Sequence, residues 1–319
     1  MNYKPIIIVA GEPNSVFFEL FFKVIKKKIK SPIILIASKK LITKQAKILK
    51  KKINFSLTNE FEIIKKKNNL KKINLIDVDF KQSTAFDKIT PKSNYYIANC
   101  FDLAIRLIKK NVSNKFINGP ISKKSFLKKK FNGITEYLAH KTNTKKFAMI
   151  IHSKSLSVCP LTTHLPIKYV HKRINKLEII NKVNLINNFW KKKFNKHVRI
   201  GITGLNPHCE SIDSFNEDKK IILPVIKKLK KLKYNIEGPF AADTIFLKDN
   251  RKKFDLVIGM YHDQVLTPIK TLFEYDAINI TIGLPFLRIS PDHGPNESML
   301  GKNKSNYLSL YNSIKFLDY

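Results

Sequence analysis

Three histidines stand beside turn-forming residues, each at the exit of a short apolar run: Thr163-His164-Leu165-Pro166, Asn206-Pro207-His208 and Tyr261-His262-Asp263. Imidazole is the commonest side-chain ligand for divalent ions such as Zn²⁺. Three of them drawn together would hold one metal ion and leave positions open for a substrate. Taken singly, each reads equally as a hydrogen-bonded loop histidine, and spacing alone does not bring distant residues together. Asp243, in Ala242-Asp243-Thr244, and Asp263 are placed to orient ligands or move protons. Asp243 also fits a helix N-cap. Lys270, Asn279 and Arg288 follow His262 by 8, 17 and 26 positions. Two cations and an amide suit a phosphate or carboxylate, to which charge-assisted hydrogen bonds are strong. For Lys270, one lysine among many, a solvated surface position explains as much. Arg288 stands apart, because arginine is rare in this chain and Arg288 lies in the apolar stretch from Ile278 to Ile289. His140, His152, His171 and His197 read as structural or surface residues, and Cys209 as packing rather than a nucleophile.

These residues need elements to position them. Pro5 to Ala10 reads as a buried strand, Ser15 to Lys30 as a helix, Pro32 to Ala37 as a strand and Leu41 to Lys52 as a basic helix. Short apolar runs alternating with amphipathic segments predict a mostly parallel sheet covered by helices. A long helix is expected over Asn94 to Lys110, with Ile97, Phe101, Ala104, Ile105 and Ile108 on one face. Lys115 to Ile117 should be a strand that opens into Asn118-Gly119-Pro120. Further strands are expected at Phe147 to Ile151, Leu156 to Leu161, Val198 to Thr203, Asp255 to Met260 and Ala277 to Ile282. Further helices are expected at Ile174 to Phe194, Glu217 to Leu232 and Asn306 to Phe316. Ligands of open α/β sheets bind at the carboxyl ends of strands, which is where the three histidines fall. No Gly-x-Gly-x-x-Gly or Walker loop occurs; Gly201-Ile-Thr-Gly204 is too sparse for either. There is no internal repeat and no Pro/Gly/Ser linker.

A chain of 319 residues allows one large α/β unit or two domains. Hydrophobic residues are 43% and aromatics 11%, enough for a sizeable core, which excludes a disordered chain. No apolar run approaches the roughly 18 residues needed to span a bilayer. Pro5 to Ala10 is too short for a signal-peptide core, so a cytoplasmic protein without membrane partners is expected. Cys100, Cys159 and Cys209 are far apart and odd in number, against a disulfide framework or a Cys-only metal site. The formal net charge of +36 raises nucleic acid as a partner, but only five of the 60 basic residues are arginine. Lysine, asparagine, isoleucine and phenylalanine share A/T-rich codons, and the lysines are scattered in runs such as Lys26 to Lys28, Lys50 to Lys52, Lys65 to Lys67, Lys128 to Lys130 and Lys191 to Lys193. A dedicated nucleic-acid binder favours arginine interleaved with aromatics. A solvated basic surface is expected instead, with no specific nucleic-acid partner. Such a surface still attracts phosphorylated metabolites and weak, sequence-independent RNA contacts.

Seven segments occur in a telling order: Asn118-Gly-Pro-Ile-Ser-Lys123, Thr162-Thr-His-Leu-Pro166, Gly204-Leu-Asn-Pro-His208, Gly238-Pro-Phe-Ala-Ala-Asp-Thr244, Met260-Tyr-His-Asp-Gln264, Asn279-Ile-Thr-Ile-Gly-Leu-Pro-Phe286 and Asp292-His-Gly294. Together they resemble the 4-hydroxythreonine-4-phosphate dehydrogenases of pyridoxal phosphate biosynthesis, over nearly the whole chain. The resemblance implies an isocitrate/isopropylmalate dehydrogenase-like fold: two α/β domains with a cleft between them, here residues 1–125 with 280–319, and 126–279. It implies NAD or NADP bound without the Rossmann glycines, with His293 and Gly294 near the cofactor. It assigns one divalent ion per subunit (Zn, Mg or Co) to His164, His208 and His262. It assigns the small phosphorylated substrate to Thr135, Lys270, Asn279 and Arg288. Asp243 and Asp263 would stand behind the metal or relay protons, with Lys270 also in the catalytic group. A homodimer with its active site at the subunit interface is implied.

The implied reaction oxidises and decarboxylates 4-phosphohydroxy-L-threonine to 3-amino-2-oxopropyl phosphate. Alternatives are a relative acting on another phosphorylated four-carbon hydroxy acid, such as threonate or erythronate phosphate, and a non-catalytic basic binding protein. The chain departs from the family pattern at three places. Ile134 stands in Gly133-Ile-Thr-Glu136 where a histidine is usual. The segment Gly11 to Glu19 lacks two glycines. Pro295-Asn296 replaces Thr-Ala after Gly294.

Overall fold

A computed structural model describes residues 3–65, 70–127 and 130–319. Lys66, Lys67, Lys128 and Lys129, which belong to two of the lysine runs, lie outside the described residues. The strands are β1 (Ile6–Val9), β2 (Ile33–Ala37), β3 (Ser56–Thr58), β4 (Ile73–Asp77), β5 (Lys115–Asn118), β6 (Ala148–His152), β7 (Ser157–Pro160), β8 (Ile200–Thr203), β9 (Ile236–Phe240), β10 (Leu256–Gly259), β11 (Ile278–Ile282) and β12 (Leu287–Pro291). The α-helices are α1 (Phe17–Val24), α2 (Lys39–Ile48), α3 (Glu60–Lys65), α4 (Asn94–Lys109), α5 (Ile134–Lys141), α6 (Val170–Arg173), α7 (Lys176–Phe194), α8 (Leu223–Lys231), α9 (Lys248–Arg251), α10 (His262–Phe273) and α11 (Leu308–Leu317). Among the described residues no helix is long and apolar enough to cross a membrane.

The chain divides into two units, Met1–Tyr137 with Pro285–Tyr319, and Leu138–Leu284. The first division falls later than residue 125. Phe126 and Tyr137 explain the shift, since their rings pack on each other and on Phe101 of α4, at 5.3 to 6.1 Å between centroids. The second falls after 279, because β11 continues to pair with β6 as far as Ile282.

In the first unit the strand order is β3-β4-β2-β1-β5-β12, and every pair is parallel. Strands covered on both faces read as continuous apolar runs, and Ile6–Val9 and Ile33–Ala37 are buried at every position. The predicted face of α4 (Ile97, Phe101, Ala104, Ile105, Ile108) is buried. Ser38 caps α2 through the N–H of Leu41 at 3.4 Å. α1 ends at Val24, short of the expected Lys30, as the sequence turns to exposed Lys26, Lys27 and Lys28.

In the second unit the order is β11-β6-β7-β10-β8-β9. Pairs from β7 through β9 are parallel, while β6 is antiparallel to both β7 and β11. The expectation of a mostly parallel sheet holds with that exception. Only residues 153–156 join β6 to β7, too few for the crossover that a parallel pair needs. Where one helix was expected over Glu217 to Leu232, Asp218–Ile222 form a wide turn and α8 begins at Leu223. β3, β4, β9, β12, α3, α5, α6, α9 and α10 were not anticipated.

Candidate active site

Strands β7, β10, β8 and β9 are neighbours and run parallel, so their exits share one edge of the second unit. His164 follows β7, His208 follows β8, Asp243 follows β9, and His262 opens α10 after β10. The rings of His164 and His262 lie 5.6 Å apart. Asp263 Oδ1 sits 2.6 Å from His262 Nδ1, which orients that ring and leaves its Nε2 for another partner. The β7 exit is bound to the β10 exit: Leu161 N–H donates to Gly259 O at 2.7 Å, and Thr162 Oγ1 donates to Met260 O at 2.7 Å.

His208 is exposed and left-handed, with φ +55°, and Cys209 follows at φ +61°. Its loop is held by Asp218, a buried residue with no signal in the sequence to mark it. The Asp218 carboxylate accepts from Leu205 N at 2.7 Å, Asn206 N at 3.1 Å and Asn206 Nδ2 at 2.9 Å. A Cβ on Gly204 would fall 2.7 Å from that carboxylate and from Cys209 Sγ, so a larger residue there would push these side chains aside. His208 does not join the pair here: among the described residues, no three His, Cys, Asp or Glu side chains are close enough to hold a metal ion. The donor chemistry suits a divalent ion, with two imidazoles in place and the third on an exposed loop.

Asp243 is not a helix cap. It sits exposed in a turn, and Leu247 occupies the N-cap of α9. Burial, with the charge of Asp218 and, less, that of Asp243, pushes the Cys209 thiol up. That keeps the sulfur protonated and supports its reading as packing. Lys270 is half-buried on α10, two turns beyond His262. Asn279 lies on β11, and its buried Oδ1 has no hydrogen-bond partner among the described residues. An unmet buried acceptor costs stability unless something supplies a donor.

The remaining residues belong to the first unit. Arg288, on β12, is 3% exposed. Its Nε donates to Asn118 Oδ1 at 2.8 Å and its Nη1 to Thr135 Oγ1 at 3.3 Å. Burial lowers its pKa to about 10, against the pull of Glu136. Asn118, in the segment Asn118-Gly119-Pro120, stands at the end of β5, the signal in the sequence for a site position. His293, just past β12, has its Nδ1 3.0 Å from Gly294 O, and a Cβ on Gly294 would meet open space. Glu12, at the exit of β1, was missed. Burial raises its carboxyl pKa to about 7, even though Ser93 Oγ donates to it at 3.1 Å.

The chain matches the family model described as pyridoxal phosphate biosynthetic protein PdxA over residues 28–317. It belongs to that family. A 4-hydroxythreonine-4-phosphate dehydrogenase from Sulfurihydrogenibium sp. is 35% identical, covering 97% of this chain and 95% of its own. A D-threonate 4-phosphate dehydrogenase from Pectobacterium atrosepticum is 30% identical, covering 76% of each. The crystal structure of a 4-hydroxythreonine-4-phosphate dehydrogenase from Klebsiella pneumoniae superposes with TM-score 0.82 at 24% identity, covering 98% of both chains. Isocitrate dehydrogenase from Methylococcus capsulatus gives TM-score 0.50 at 8% identity, covering 98% of this chain and 84% of its own. The α/β fold is thus of the isocitrate dehydrogenase kind.

Against the family pattern, Ile134 is buried beside Thr135 at the start of α5. Two other departures meet each other, since Val16 N–H donates to Pro295 O at 3.1 Å. Gly11 keeps a left-handed φ of +83°, and the next residue, Glu12, donates its N–H to Pro120 O at 2.9 Å.

Proposed function

We propose that this family member is a dehydrogenase that oxidises and decarboxylates 4-phosphohydroxy-L-threonine in pyridoxal phosphate biosynthesis. Hydride passes from C3 to NAD⁺ or NADP⁺, and loss of the C1 carboxylate then leaves an enolate that is protonated at C2. The products are 3-amino-2-oxopropyl phosphate, CO₂ and NAD(P)H. The C3 hydroxyl releases one proton and C2 takes up one, so the site must both hold and return a proton. The observation that carries this reading is the His164–His262 pair, with Asp263 on His262, at adjacent strand exits of a chain from this family.

His164, His262 and His208 would hold a divalent ion, with His208 moving in from its exposed loop. A bound Zn²⁺, Mg²⁺ or Co²⁺ supplies positive charge where negative charge develops on oxygen. Asp263 orients His262, and Asp243 and Asp263 would carry the proton. Arg288 and Thr135, with Lys270 and the unmet Oδ1 of Asn279, bind the substrate's charged and polar groups. His293 and Gly294 would contact the cofactor. The working form is a cytoplasmic homodimer with its active sites at the interface.

Ile134 gives a second reading its footing, because a buried alkyl group cannot donate a hydrogen bond. D-threonate 4-phosphate carries a hydroxyl where the first substrate carries an amine. A panel of both, scored as NAD(P)H formed, separates them. We expect higher kcat/KM on the amino acid, preserved or raised by Ile134→His. Preference for the hydroxy acid, with a large loss in Ile134→His, would transfer the assignment.

A further inference from the structure

Gln264 is not among the proposed ligands, yet its amide ties two of the histidine-bearing exits together. Its Oε1 accepts from Met260 N at 2.7 Å and from Thr203 Oγ1 at 2.8 Å. Its Nε2 donates to Gly204 O at 2.8 Å. Met260 lies two residues before His262, while Thr203 ends β8 and Gly204 opens the loop to His208. One side chain therefore bonds to the root of the His262 helix and to the root of the His208 loop. The carbonyl of Met260 takes the third exit, through Thr162 N at 3.2 Å and Thr162 Oγ1 at 2.7 Å. Met260 thus links to the β8 exit through its N–H and to the β7 exit through its C=O.

The chemistry of this junction demands an amide. Two donors converge on one atom of the side chain, and a carbonyl faces the other. Glutamate would place a second acceptor against Gly204 O. Leucine would meet neither the donors nor the carbonyl, leaving partly buried groups without partners.

We propose that Gln264 is a positioning residue that fixes the distance between His262 and the root of the His208 loop, so that the third imidazole can close on the pair. The proposal rests on the reading of His164, His208 and His262 as metal ligands. Groups that orient metal ligands typically change affinity by about 10–100-fold when altered.

The test is titration of chelator-stripped protein with Co²⁺, following affinity and the visible absorption that reports ligand geometry, beside thermal unfolding of the metal-free protein. Gln264→Glu should weaken Co²⁺ binding by about tenfold or more and change the absorption, with the metal-free unfolding midpoint shifted far less. Thr203→Val, which removes one of the three bonds, should show the same change in smaller measure. It stands in if the glutamate variant does not fold. Wild-type affinity and absorption in a folded variant would overturn the proposal while leaving the metal site intact. Co²⁺ binding weakened by neither His208→Ala nor His262→Ala would overturn the metal reading, and this proposal with it.

Discussion

Arg288 shows how much one residue can reveal. It is among the few arginines of a lysine-rich chain, and it is buried with Asn118 and Thr135 on its guanidinium. A planar guanidinium holds its partners at fixed angles through several N–H groups, which the point charge of lysine cannot do. Arg288→Lys should therefore raise KM for the phosphorylated substrate by about tenfold or more, with a smaller change in kcat. An unchanged KM would remove Arg288 from the substrate. Its importance was legible from rarity and an apolar setting, whereas its partners, 170 and 153 positions away, were not.

Glu12 is the opposite case, unremarkable in sequence and perturbed in the fold. Its carboxyl titrates near pH 7 in the native state against the usual 4.5, because burial disfavours the charge and Glu297 adds repulsion. Between those values the native chain binds a proton that the unfolded chain has released. Stability therefore falls as pH rises through that window, by up to about 3 kcal/mol. Glu12→Gln should flatten this fall, measured by urea unfolding at pH 5 and pH 8. An identical pH dependence in both proteins would show that Glu12 is not the group responsible.

At the scale of elements, the strands that carry the histidines were legible because each is a short apolar run bounded by turn residues. Others were hidden for local reasons. β3 is three residues long and mostly exposed, β9 contains Gly238-Pro239, which reads as a turn, and α10 contains Pro268, which reads as a break. The antiparallel turn of β6 follows from a connection length that is visible only once both strands are fixed. Convergence of His164 with His262 depends on β7 and β10 being neighbours, and that order is set by the whole sheet. The loop to His208 gains its shape from Asp218. Asp218→Asn would turn one acceptor into a donor facing backbone N–H groups, at a cost of about 1–3 kcal/mol. It should also expose the segment after Gly204 to limited proteolysis. Cleavage and stability equal to wild type would show that the loop does not need the carboxylate.

For the whole molecule, the sequence showed an α/β chain whose histidines sit at strand exits, and the family supplies the enzyme class. The charge of +36 fits a solvated surface, and it also draws anions towards the protein. KM for the phosphorylated substrate should then rise several-fold between about 20 and 300 mM salt, with kcat nearly constant. A KM indifferent to salt would confine recognition to the buried contacts. In the proposed function three strand-exit histidines serve a metal-dependent dehydrogenase. The most direct test is NAD(P)H formation from 4-phosphohydroxy-L-threonine by protein stripped with chelator and then resupplied with Zn²⁺, Mg²⁺ or Co²⁺. Turnover should be lost on stripping and recovered with at least one ion. Full turnover by metal-free protein, or none by folded, metal-loaded protein, would contradict the proposed function.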